Sequence, residues 1–371
     1  MKTLVLGGYG NFGARICRAL AQDAEFELIV GGRDLDRAIA FAQSLGGAAR
    51  GVRIDVQSAD LARAIREAGA ELVIHTAGPF QNQDYRVPQA AAAAGAHYID
   101  LADGRRFVCD FPAALDATFR AARRAAVSGA STVPALSSAV VDHLTAGWQD
   151  IRRIDICIAP AQGAPRGEAT LAGVLAYCGA PIRVWQDGRW VERLGWARPT
   201  KVTFARMKPR RGALCDIPDL ELLPARYAGV QSVMFRAALE VGLTQQAFAL
   251  LAFLRRIGLL PAPERLAALL HATGRLFDAF GTALGGMVVR VEGIDAHGEA
   301  ARRAWHIAAD GNHGPEIPCM AAILLARRLA RGDASWVGAH ACAGLLVLSE
   351  FDPEFARWGM VTDEVDEGLS P

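Results

Sequence analysis

The opening twelve residues constrain this 371-residue chain more than any other stretch. Lys2-Thr-Leu-Val-Leu is a short apolar run that breaks at once into glycines, Gly8, Gly10 and Gly13, and a helix-like stretch from Ala14 to Gln22 follows. The spacing G-x-G-x-x-G, set between a strand and a helix, is the phosphate-binding turn of dinucleotide sites. Each glycine has its own task. Gly8 lets the chain turn sharply off the strand, Gly10 lets backbone approach a pyrophosphate, and Gly13 lets the helix pack close. The N–H groups of the first helical turn, at Asn11, Phe12 and Gly13, then face the anion.

A second strand, Phe26 to Val30, ends in Gly31, Gly32, Arg33 and Asp34. An acidic residue at this place accepts the ribose 2′-hydroxyl of NAD, whereas an Arg suits the 2′-phosphate of NADP. Gly31 and Gly32 leave room for that phosphate, and Arg33 supplies a planar cation able to pair with it. Asp34 reads either as a ribose ligand or as the N-cap of a helix from Leu35 to Leu45. NADP is therefore the expected cofactor, with NAD the alternative.

The strand–helix pattern repeats. Gly51 to Val56 reads as a third strand that brings Asp55 and Val56 to the adenine edge, and Ser58 caps a helix running to Ala68. Glu71 to His75 is a fourth strand, and it stops at Ala77-Gly78-Pro79-Phe80, a turn placed for the nicotinamide ribose. A helix from Tyr85 to Ala94 and a fifth strand, His97 to Leu101, follow. Such alternation specifies an α/β fold, a doubly wound parallel sheet of Rossmann type, whose ligands collect at the carboxyl ends of the strands.

Composition excludes several function classes. With 40 Lys and Arg against 39 Asp and Glu, the net charge is +1, and the arginines are scattered, which gives no case for nucleic acid. The longest apolar run, Ala247 to Leu254, is cut off by Arg255 and Arg256, far short of the roughly 18 residues a membrane span needs. No signal peptide is read before the first strand. The seven cysteines form no C-x-x-C pair and read as reduced, buried residues of a cytoplasmic protein. No pair of histidines has metal-ligand spacing beside a carboxylate, so no metal is expected.

Two further segments carry a family resemblance. Thr76-Ala-Gly-Pro-Phe80 followed by Ala94-Gly-Ala-His-Tyr-Ile-Asp100, and then Val133-Pro-Ala-Leu-Ser-Ser-Ala-Val-Val-Asp142, resemble the saccharopine dehydrogenase-like family. The likeness covers the first 145 residues well. It continues more loosely at 214–224 and in the closing helix from Pro318 to Arg331. It implies a nicotinamide cofactor and hydride transfer at a C=N or C–N bond of an amino-acid-derived substrate. Other relatives reduce an enoyl double bond. The middle of the chain departs from true saccharopine enzymes, whose basic substrate-binding residues have no counterpart placed here.

Domain boundaries follow from where alternation lapses. Residues 1–142 are expected to form the dinucleotide-binding domain and 143–314 an α+β substrate and dimerisation domain. Residues 315–371 would supply a helix and tail returning to the first domain. Between Leu243 and Leu284 two apolar helices, with Leu266, Leu269, Leu270, Thr273, Leu276, Phe277 and Phe280 at helical spacing, read as a core or homodimer face or as an acyl groove.

For the chemistry, a proton must be supplied on the side away from hydride transfer. Tyr98 and Asp100 alternate around Ile99 at the carboxyl end of the fifth strand, and Asp103 lies just beyond, so these three are the candidate acids. The bland alternative is that Asp100 fastens a loop and Tyr98 packs. His75 and His97 read as interior residues, while His313 and Glu316 stand in reserve. The function expected is an NADP(H)-dependent oxidoreductase acting on a small molecule. An enoyl or acyl reductase and a non-catalytic NADP(H) sensor are its rivals.

Overall fold

The computed structural model describes residues 1–165, 167–333 and 336–368, and the side chains of 168–170 and 275–277 lie outside that description. The chain divides into two compact units, Met1–Ala135 with Glu316–Cys342, and Leu136–Pro315 with the residues from Ala343 on. The expected third piece is thus shared. Its helix belongs with the nucleotide unit, while the tail after Cys342 groups with the second.

The first unit is a seven-stranded sheet with every neighbouring pair parallel. Its strands are β1 (Lys2–Leu6), β2 (Glu27–Gly32), β3 (Arg50–Arg53), β4 (Leu72–His75), β5 (His97–Asp100) and β6 (Ala125–Ser128), completed by a distant strand, Gly338–Ala341. The order is Gly338–Ala341, β6, β5, β4, β1, β2, β3. Order therefore reverses beside β1, and the carboxyl ends of β1 and β4 form the crevice where a doubly wound sheet takes its ligand. The apolar runs explain the strands. Leu4, Val5 and Leu6, then Leu72, Val73 and Ile74, are fully buried, as strands covered on both faces must be.

The connecting helices are α1 (Asn11–Leu20), α2 (Leu35–Leu45), α3 (Leu61–Glu67), α4 (Arg86–Ala93), α5 (Arg105–Cys109) and α6 (Phe111–Ala121). Ser58 does not cap α3 as expected; its hydroxyl accepts the Asp60 N–H in the turn before the helix. The later helix Ile317–Arg331 packs against α1. Two ion pairs fasten it, Arg15 to Glu316 and Arg327 to Asp23, each at 2.8 Å.

The second unit is a nine-stranded mixed sheet. Its long strands Asp150–Ala159, Gly285–Ile294 and Ala300–Ala309 run antiparallel, and Ser232–Ala238 pairs parallel with Asp150–Ala159. The hairpin expected at Asp187-Gly188 joins Pro181–Gln186 to Arg189–Leu194. The motif around Ser137, Ser138 and Asp142 is structural. Ser137 hydrogen-bonds the buried carboxyl of Asp219, Ser138 Oγ accepts the Gly344 N–H, and Asp142 takes Tyr227 and Arg226 at 2.7 Å each.

The stretch expected as one helix from Pro263 breaks into Pro263–Leu266, Ala267–Gly274 and Arg275–Phe280, only the middle piece being α-helical. Its described leucines and Phe280 are half-buried or exposed. Leu269 and Phe280 are 59% and 76% exposed, as are Leu250 and Phe253 of the helix Gly242–Arg256 at 57% and 54%. The Leu276 and Phe277 side chains lie outside the described residues. Among the described residues no helix is long and apolar enough to cross a membrane.

Candidate functional site

The glycine loop leaves β1 with a sharp turn, and the residue that makes it is Gly7 at φ +78°, not Gly8 as the spacing suggested. The N–H groups of Gly7 and Gly8 both donate to the Gly31 carbonyl of β2, at 2.9 and 3.2 Å. Gly8 is needed for contact instead. A Cβ there would lie 2.9 Å from the Val5 carbonyl and 3.0 Å from a Val30 methyl. Gly10 caps α1, and a Cβ on it would meet only the Gly7 carbonyl, at 3.0 Å. Gly13 is the tightest position, since its Cβ would fall 2.2 Å from the Gly7 oxygen. The first turn of α1 thus sits directly on the loop. Its leading N–H groups, at Asn11, Phe12 and Gly13, have no carbonyl of their own helix to bond. Asn11 Oδ1 also receives Arg15 at 2.6 Å, which ties it to the helix behind.

Thr76, just past β4, is a further residue of the site. Its hydroxyl donates to the Leu6 carbonyl at 2.9 Å and reaches the Gly7 carbonyl at 3.3 Å, so the glycine loop and the following turn are pinned together. In that turn Gly78 and Pro79 are exposed and joined by a cis peptide. Gln83 Nε2 holds the Ala77 and Pro79 carbonyls at 2.8 and 3.0 Å. Phe80 differs from expectation. Its ring is buried against His75 and Phe107, so it anchors the turn from below and does not face a ligand.

At the end of β2 the space expected over Gly31 and Gly32 is filled by the protein. A Cβ on Gly31 would meet Leu4 Cδ1 at 2.9 Å, and one on Gly32 would run into the Tyr9 ring. Arg33 is exposed. Asp34 is the N-cap of α2, its carboxylate accepting the Arg37 N–H at 3.1 Å, which accounts for it without a ribose. Asp55 and Val56 lie just beyond β3, which ends earlier than expected, at Arg53. Asp55 Oδ1 accepts the Gln57 N–H at 3.0 Å, and an open groove of ≈ 410 Å³ runs along Arg53, Asp55 and Ser58.

Tyr98 and Asp100 share a face of β5, but both are 0% exposed. Asp100 Oδ1 accepts the N–H groups of Ala102 and Gly129, at 2.9 and 2.8 Å, and the Ser128 hydroxyl at 3.0 Å. Burial pushes its carboxyl up to about 6, and those hydrogen bonds offset part of the cost. The Tyr98 hydroxyl is 3.1 Å from His75 Nδ1, and burial lifts its ionisation well above the ordinary value. Burial also holds His75 neutral, at about 4. Asp100 thus fastens the loops after β5 and β6, and Tyr98 is buried beside it with its hydroxyl against His75.

Asp103 is different, being only partly buried. It accepts Gln81 Nε2 at 3.1 Å, and desolvation raises its carboxyl above the ordinary range. Gly104, next to it, lets this loop close on the Phe80–Gln81 backbone, where a Cβ would meet atoms at 3.0 Å. Of the reserve candidates, Glu316 is held by Arg15 and His313 lies against Trp358.

Comparison with known proteins fits this geometry. Residues 3–133 match the model of the saccharopine dehydrogenase NADP binding domain. Among solved structures, saccharopine dehydrogenase (L-Glu forming) from Saccharomyces cerevisiae superposes with a TM-score of 0.72 over 99% of this chain and 100% of its own, at 11% identity. Homospermidine synthase from Legionella pneumophila, in complex with NAD, gives 0.64 over 100% and 92%, at 10% identity. No curated protein matches the sequence. Both structural likenesses are of fold. Over residues 3–133, then, the chain is similar to the saccharopine dehydrogenase NADP binding domain, and over its whole length it shares the fold of these two enzymes.

Proposed function

We propose that the protein is an NADP(H)-dependent oxidoreductase that transfers a hydride at a C=N or C–N bond of an amino-acid-derived substrate. The observation that carries this reading is the seat of α1 on the glycine loop, with Gly13 against Gly7 and Thr76 bonded to the same carbonyl. That cradle leaves helix N–H groups facing the carboxyl edge of the sheet and fits a pyrophosphate. A bound nicotinamide would supply the hydride. The chain's own contribution is to hold the two phosphates at α1, the ribose beside the Ala77–Pro79 turn, and a proton at Asp103. A partly desolvated carboxyl, raised above its ordinary range, keeps its proton to higher pH than a free one and so has one to give. The fold neighbours are named for saccharopine and homospermidine, both secondary amines, which supports C–N chemistry over reduction of an enoyl group.

NADP is favoured because Arg33 is exposed beside the end of β2 while Asp34 is occupied as a helix cap. Titration of NADPH and NADH against wild type and Arg33→Ala tests this. NADPH should bind more tightly to wild type, and losing a charge-assisted pair should weaken it by on the order of 2 kcal/mol. Equal affinities in wild type would refute the NADP assignment, and binding of neither would refute the site. Steady NADPH oxidation on a panel of oxo acids with amines separates an enzyme from a cofactor sensor.

A further inference from the structure

Where NAD sites of this fold carry a carboxylate at the end of β2, this chain has Gly32, and another residue stands in the vacated place. A Cβ on Gly32 would lie 2.3 Å from Tyr9 Cε1 and 2.5 Å from the hydroxyl oxygen, so the Tyr9 ring rests against the strand end. The ring is held from two more directions. The Asp34 N–H donates to the Tyr9 hydroxyl at 3.1 Å, and the Arg37 guanidinium lies over the ring, 4.8 Å from its centroid. Arg33, the residue before Asp34, makes no hydrogen bond or ion pair among the described residues.

A phenol hydroxyl offers one donor and two acceptor positions. Asp34 N–H engages the oxygen as acceptor, which leaves the hydroxyl proton to give. A carboxylate at this place would only accept, and so would suit a ribose hydroxyl and repel a phosphate. A phenol donor with the Arg37 guanidinium over its ring does the reverse. We propose that Tyr9, a residue of the glycine loop, reads the ribose 2′ position by donating to a 2′-phosphate held between Arg33 and Arg37. Gly32 is then fixed as glycine by the ring and has no direct part in making room for the phosphate.

This inference rests on reading the sheet edge as a nicotinamide cofactor site, and the test separates the two. Dissociation constants for NADPH and NADH are measured on the full chain for wild type and Tyr9→Phe. Phe keeps the ring on Gly32 and the Arg37 stack and removes only the hydroxyl. The expected result is a rise of roughly tenfold or more in the NADPH constant, the scale of a lost hydrogen bond to a charged group, with NADH changed less than twofold. Gly32→Ala, which must push the ring off the strand end, should shift the ratio in the same direction. An unchanged NADPH constant in Tyr9→Phe, or equal losses for both cofactors, would overturn the role of Tyr9 and leave the site standing. A wild type that binds NADH as tightly as NADPH would also overturn it, and one that binds neither would overturn both readings.

Discussion

Gly13→Ala is the sharpest probe of how the nucleotide unit is built. In an unobstructed helix this change stabilises by about 0.5–1 kcal/mol, because Ala loses less backbone entropy on folding. Here the new methyl would stand 2.2 Å from the Gly7 oxygen and 2.8 Å from both the Gly7 carbonyl carbon and Thr76 Oγ1. Two of those three atoms are backbone, and the third is fixed by its bonds to the Leu6 and Gly7 carbonyls. None can swing away as a flexible side chain would. Relief requires α1 and the loop to part by roughly 1 Å, the kind of overpacking that costs about 1–3 kcal/mol. The expected net effect is therefore a loss of stability of about 1–2 kcal/mol, together with weakened NADPH binding. Gly10→Ala is the control, since its methyl meets one atom, at 3.0 Å. It should lose no more than about 1 kcal/mol, as a poorer helix cap. Urea denaturation of both variants reads the difference in stability, and cofactor titration of Gly13→Ala reads the loss of binding. A Gly13→Ala protein as stable as wild type would refute the seating of helix on loop.

Three other outcomes follow from particular groups. Burial raises the Asp219 carboxyl to about 7 from 3.8, so its stabilising protonated form is fully present below about pH 4 and lost as pH rises through 7. Melting temperature should fall across that window, and Asp219→Asn should flatten the fall; an unchanged profile would remove Asp219 from the explanation. If Asp103 supplies the proton, Asp103→Asn should lower kcat by about 10²–10⁴ with NADPH affinity kept, and should erase the rate loss at rising pH. Near-normal turnover would dismiss it. Finally, Cys109 is the only half-exposed thiol, the other six being buried. A thiol reagent should modify it first in the native protein, and peptide mass spectrometry would show any other order.

Much of the nucleotide unit could be read from sequence because its strands are apolar runs ended by glycine or a buried polar residue. β1, β2, β4 and β5 fall within a residue or two of expectation. β6 and Gly338–Ala341 were missed for a physical reason. Ala125-Ala-Val-Ser128 and Gly338-Ala-His-Ala341 have few β-branched residues, and only their neighbours make them strands. The site was legible as a glycine pattern but not as a division of labour. That Gly7 turns the chain, that Gly32 yields to Tyr9, and that Phe80 points inward are consequences of tertiary contact. Alternation placed Tyr98 and Asp100 on one face correctly. It carried no information about the N–H groups of Ala102 and Gly129, which take up the carboxylate from other loops.

The strand Gly338–Ala341 closes the first sheet against β6, and the ribosome makes it last. When β6 emerges, its outer edge has no partner until the whole of Leu136–Pro315 has been synthesised. At about 5–20 residues per second that interval is on the order of ten to forty seconds. For that time a strand built to be buried on both sides shows a free row of N–H and C=O groups, a template for pairing with another chain. The helix Ile317–Arg331, which covers α1, arrives equally late. Crowding of nascent chains on one messenger should therefore favour misassembly through β6. Expression at lower temperature, or with a chaperone that shields strand edges, should raise the yield of this protein more than that of one whose nucleotide sheet is continuous in sequence.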